Sequence, residues 1–126
     1  MLGRNQAPAL LSAVLAAALI AACGTPVALR TAPAKQDNCD AALTAGELVA
    51  SSQSGLAIRR ADGVIEVVWP FGYSATREAT GLVLRDATGK VVAHEGQRVQ
   101  IGGGQGANDT WIACGLVEEV SNTDGG

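Results

Sequence analysis

Histidine, methionine, phenylalanine and tyrosine each occur once in the 126 residues, and tryptophan only twice. One histidine cannot build a His-rich metal centre, and no cluster of His, Cys or Met is present to hold a soft ion. His94 follows an apolar run and precedes Glu95. As a general base it would need a nucleophile within reach, and spacing supplies none, so it reads as a surface or strand-end residue. Positive charge is scarce as well: nine basic side chains face twelve acidic ones, with no basic cluster. Electrostatic capture of nucleic acid or of anionic lipid is therefore not expected. No cofactor is implied, and the chain is not read as an enzyme. Long hydrophobic runs are missing too. The longest, Leu10 to Ala22, contains one polar residue and as a helix would cover roughly 20 Å, short of a ~30 Å hydrocarbon core.

That run follows a single charge, Arg4, and ends in small residues, which is the layout of an export signal. Its last four residues are Ile20-Ala21-Ala22-Cys23. They resemble the lipobox of bacterial lipoproteins: a branched apolar residue, two small ones, then a cysteine. The resemblance implies thioether attachment of diacylglycerol to Cys23, cleavage before it, and acylation of the new amino terminus. Small side chains let a peptidase approach the backbone, and a thiol is the strongest nucleophile available to accept the lipid. Two or three acyl chains anchor stably, at ~0.8 kcal/mol per buried CH₂. The competing reading is an ordinary secretion signal with an incidental cysteine. On the lipobox reading, residues 1–22 are a signal peptide and the mature chain of 104 residues carries a net charge of −4. That is enough for one small domain, placed on the extracytoplasmic face of the cell membrane.

Residues 23–36 carry Pro26 and Pro33 and no apolar periodicity, and are expected to be a lipidated tether. Residues 37–50 are ambiguous, since Leu43, Leu48 and Val49 fit a short helix or a first strand. From Gly55 onward, short β-runs alternate with turns. The runs Leu56–Arg60 and Val64–Trp69 flank Asp62-Gly63, a strong hairpin signal. Gly81–Arg85 and Lys90–His94 flank a second turn, Arg98–Ile101 is expected to stop at Gly102-Gly103-Gly104, and Trp111–Val117 forms the last strand. Six short runs and sixteen glycines in so short a chain predict an all-β fold, a small five- to six-stranded OB-like barrel over 37–120, with 121–126 as a disordered tail. A sandwich is the alternative. The triple glycine has no following helix or Lys-Ser/Thr, so it is no phosphate loop, and a barrel corner is favoured over a ligand cradle.

Cys39 and Cys114 remain once Cys23 is assigned. In an oxidising compartment two leftover cysteines pair, which predicts a disulfide tying the start of the domain to its last strand. A redox or metal role has no Cys-x-x-Cys to support it.

The segments Val68-Trp-Pro-Phe-Gly-Tyr-Ser74, Val83–Ala93 and Glu95–Gly104 resemble small exported domains of high-GC Gram-positive bacteria that share a Trp-Pro-x-Gly-aromatic turn and a later Gly-Gly-Gly segment. The likeness spans roughly Leu56 to Gly115, departs from the pattern at Gln97, and is shortened around Asn108 to Gly115. It implies a fold and no activity. In the turn, Pro70 should end the preceding strand, the Trp69-Pro70 bond could be cis, and Gly72 should take a positive φ. Trp69, Phe71 and Tyr73 are the candidate binding rim, with Tyr73 the best exposed candidate and Trp69 and Trp111 expected in the core. The expected partners are the membrane, through the lipid on Cys23, and an unidentified envelope protein or small ligand. A purely structural envelope role is the alternative.

Overall fold

The computed structural model describes residues 24–120. The leader, Cys23 and residues 121–126 lie outside the described residues. Nine strands make up the elements: β1 (Thr25–Val27), β2 (Ala42–Ser51), β3 (Gly55–Arg60), β4 (Gly63–Val68), β5 (Ser74–Glu78), β6 (Gly81–Arg85), β7 (Val91–His94), β8 (Arg98–Gln105) and β9 (Thr110–Glu119). Five of them close a barrel in the order β2-β3-β4-β9-β8, with β4 and β9 parallel and the other pairs antiparallel. This is the OB-like barrel expected, and its closure removes every exposed sheet edge from those strands. The other four form a second sheet, β1-β5-β6-β7, in which β5 to β7 are inserted between β4 and β8 and β1 comes from ahead of β2.

Period-two alternation explains which side chains enter the barrel. Thr44, Gly46 and Leu48 of β2, Ile65 and Val67 of β4, and Val99 and Ile101 of β8 are buried and alternate with less buried residues, up to the glycines that follow Ile101, which are buried in succession. Ala75, Leu82, Leu84 and Ala93 of the second sheet join the same apolar cluster, so one core serves both sheets. Of the two options for residues 37–50, the strand is found, and β2 pairs with both β3 and β8. Tertiary pairing overrides the weak helical spacing there, because a closed barrel needs that strand on two sides.

The expected tether is largely absent. Within 23–36, β1 pairs with β5, the Arg30 amide donates to the Ser54 carbonyl at 2.9 Å, and Ala32 is buried. Gly55 accommodates this arm, since a Cβ there would collide with the Ala28 carbonyl. Pro26 lies on an outer strand, where its missing N–H is tolerated. Only residues 33–41 remain as an exposed connection. Residues 24–32 thus belong to the folded domain, ahead of its expected start at 37.

The triple glycine does not stop its strand. β8 runs through to Gln105, with a bulge between Ile101 and Gly103. Gly103 has φ +151° and lies against the backbone of Ile112, while a side chain at Gly104 would strike the Asp40 carboxylate. Gly104 therefore lets the chain before β2 cross closely over β8, while Gly103 lets β9 approach it. That crossing carries Cys39 to Cys114 on β9, where the two form the expected disulfide with Cα atoms 5.6 Å apart. The link closes a separation of 75 residues, worth about 4 kcal/mol in the chain-entropy model.

Two outcomes follow. Reduction of Cys39–Cys114 should lower the melting temperature by about 10 °C or more, read by thermal denaturation with and without reductant. Gly103→Ala should cost more than about 2 kcal/mol in a denaturant titration, since it meets both a glycine-only φ and a backbone contact.

Candidate binding site

The aromatic turn sits where the barrel hands the chain to the second sheet. Pro70 interrupts the strand after Val68, and the Tyr73 amide donates to the Pro70 carbonyl at 3.2 Å. Gly72 takes φ +85°, and a side chain there would press on Ala87 in the β6–β7 turn. The turn is therefore held from both sides. All peptide bonds are trans among the described residues, so the sharpness of the turn comes from Gly72 and not from a cis proline.

The three rim candidates separate on inspection. Trp69 is fully buried and donates its Nε1–H to the Leu56 carbonyl at 2.9 Å, so it belongs to the core and not to a rim. Tyr73 is half-buried and packs on the core cluster. Its hydroxyl pKa is raised, first by burial and then by the negative charge of Asp86. Asp86 itself is held below the usual carboxylate range, chiefly by the Thr88 hydroxyl. Phe71 is the exposed ring, at 49%. The order of exposure thus differs from expectation, because the positive φ at Gly72 turns Tyr73 back toward the sheet and leaves Phe71 at the apex. Trp111, as expected, is buried.

Phe71 and Pro70 form one wall of a shallow groove of about 180 Å³, with Lys35, Gln36, Cys114 and Gly115 opposite. The disulfide thus pins the groove's far side to the barrel. The groove is ordered on both sides and offers an apolar ring next to a lysine.

A second cavity, about 380 Å³, opens beside the β2–β3 and β8–β9 turns, among Arg30, Gln53, Glu66, Asn108, Thr110 and Ile112. Glu66 is a lone acid in the apolar run of β4. Its Oε1 accepts hydrogen bonds from Ser51 at 2.6 Å and from the fully buried Ser54 at 2.7 Å, and the Ser54 Oγ also accepts from the Val67 amide. This carboxylate is fixed in one orientation. Asn108 and Asp109 shape the opposite lip with φ values of 57° and 54°. Asn108, Thr110 and Ile112 thus contribute to a concave surface. Sequence reasoning passed over this cavity, although a single glutamate inside Val64-Ile-Glu-Val-Val68 was a usable signal.

His94 is exposed, with Nδ1 at 3.0 Å from Gln97 Oε1 and 3.2 Å from Glu119 Oε1. Two acceptors on one nitrogen orient the ring as a donor there. Gln97 caps its turn, since its Oε1 also accepts from the His94 amide. Among the described residues no three His, Cys, Asp or Glu side chains are grouped to hold a metal. No protein-family model, curated protein or solved structure matches the chain.

Phe71→Ala should change stability by less than about 0.5 kcal/mol, whereas Tyr73→Ala should cost about 2 kcal/mol. Tyr73 is the only tyrosine, so ultraviolet titration reads it directly. Its midpoint should lie above the ordinary 10.0. The folded state then keeps a proton that the unfolded state has lost, so the contribution of Tyr73 to stability is constant below about pH 10 and is lost as pH rises through its folded midpoint. Tyr73→Phe should remove that part of the decline.

Proposed function

We propose that this chain is a lipid-anchored extracytoplasmic protein whose barrel is a binding or adaptor module of the cell envelope. The observation that carries the binding role is Phe71, an exposed ring on a turn fixed by Pro70, Gly72 and the Ala87 contact, beside a groove backed by the disulfide. A ring on an ordered support loses little conformational freedom on contact, which favours recognition. The anchor rests on the leader and on Ile20-Ala21-Ala22-Cys23. The favoured partner is another envelope protein presenting an apolar side chain to Phe71 and an acceptor to Lys35.

A small polar ligand is the second reading, and the cavity around the oriented Glu66 carboxylate favours it. No reaction is assigned. His94 is met by two acceptors and by no hydroxyl, which suits a turn-capping role better than a general base.

Mass spectrometry of the mature protein should show an acylated amino-terminal Cys23 and no residues 1–22. An unmodified product with Cys23 internal would end the anchoring proposal. Photocrosslinking in intact cells should then give a discrete protein adduct from position 71 and none from position 64, where Val64 is 54% exposed away from the groove. No adduct from either position would leave the purely structural role standing.

A further inference from the structure

The anchor has almost no slack. Gly24 is already part of the fold: with φ +75°, it lies where a Cβ would be 3.3 Å from Glu78 Cγ and 3.4 Å from the Arg77 carbonyl. The residues after it continue in register, with Thr25 opposite Arg77, Pro26 opposite Thr76 and Val27 opposite Ala75. Covalent geometry puts the Cα of residue 23 about 3.8 Å from that of Gly24. The chain therefore enters the fold beside the Glu78 end of β5, and whatever is bonded to the Gly24 amide starts from there.

That end of the second sheet is a distinct surface. It consists of the β5–β6 hairpin, with Ala79 and Thr80 exposed at its tip, and the turn after β7. The two turns are locked together, since Glu95 donates its amide to the Leu82 carbonyl at 2.8 Å and accepts the Leu82 amide on its carboxylate at 2.9 Å. The opposite end of the same sheet carries the β6–β7 turn and the Phe71 turn, joined by the contact of Gly72 with Ala87. Residues 74 to 78 span the sheet between them, a rise of about 13 Å for an extended strand.

On the reading of Cys23 as the lipid attachment site, we propose that the β5–β6 hairpin rests directly on the lipid headgroup layer, with the Phe71 turn at the far end of the sheet facing away from the membrane. A flexible tether would let the domain tumble and present any face. An anchor one residue from a paired strand does not. The contact needs no basic patch, because the acyl chains supply the affinity and the short link supplies the orientation. The membrane-facing surface is accordingly polar and of mixed sign, with Arg77, Glu78 and Glu95 around the hairpin and the Arg85 guanidinium reaching Glu78 from along the strand. The partner this surface fits is a bilayer headgroup layer, and Phe71 is left for a partner approaching from the aqueous side.

The test uses the mature lipoprotein in phosphatidylglycerol–phosphatidylcholine vesicles carrying a nitroxide on the lipid headgroup. A fluorophore is placed on a clickable non-natural residue at position 80 or at position 87. Quenching should be at least about threefold stronger at 80 than at 87, as expected for sites separated along an extended strand. A flexible Gly-Ser spacer of about twelve residues between Cys23 and Gly24 should abolish the difference. Equal quenching at the two sites without the spacer, or stronger quenching at 87, would overturn the proposal. Failure of natural lipidation is read separately by the mass of the product. In that case Cys23, the one thiol outside the Cys39–Cys114 disulfide, can be coupled to a maleimide lipid. The same pair of quenching measurements then decides the orientation even if the lipoprotein reading falls.

Discussion

Trp69 holds three parts of the chain in one place. Its amide donates to the Arg30 carbonyl and its carbonyl accepts from the Ala32 amide, each at 2.9 Å, which binds the amino-terminal arm alongside β4. Its indole N–H reaches the Leu56 carbonyl on β3, so the ring also ties the barrel wall. Complete burial with all polar groups satisfied makes this a favourable use of a large aromatic residue. Trp111, also in the core, leaves its Nε1 without a partner, so it fills space but does not pin the chain. The Trp69 side chain adds to these main-chain bonds a buried ring and an indole bond that tie the seam between the arm and β4 to β3.

The second constraint is closure. A barrel of five strands in a chain this short can close only if β2 pairs on both sides, and the chain entering β2 must then pass over β8 to reach the disulfide partner on β9. Gly104 makes that passage possible by presenting backbone where a side chain would strike Asp40, and Gly103 does the same for the close approach of Ile112 on β9. Disulfide, glycines and barrel closure are thus one arrangement, and a side chain in the glycine pair would disturb all three.

These constraints also place the functional surfaces. Because the arm is packed through Thr31 and Ala32, the start of β1 and the Phe71 turn are held at opposite ends of one sheet. Because the disulfide backs the groove beside Phe71, that surface is held firm without a large core behind it. The polar cavity around Glu66 lies on the barrel, apart from the Phe71 groove, and shares none of its lining residues.

The sequence by itself determined the all-β class, the barrel-sized domain, the two hairpins at Asp62-Gly63 and Asp86–Gly89, the pairing of Cys39 with Cys114, and the burial of Trp111. These are local or arithmetical matters: turn chemistry, period-two alternation and the count of leftover cysteines. Only the tertiary structure decided that Pro-containing residues 24–32 fold onto a sheet, that residues 42–51 are strand, and that Ser74–Glu78 pairs at all. None of those segments carries an apolar pattern strong enough to declare itself, since each is ordered by partners far away in the chain. The same holds for the aromatic turn. Proline and glycine announce a bend at Trp69–Tyr73, but which ring points outward depends on the φ of Gly72 and on Ala87 from another hairpin. Sequence spacing records neighbours along the chain, whereas exposure is set by what folds over them.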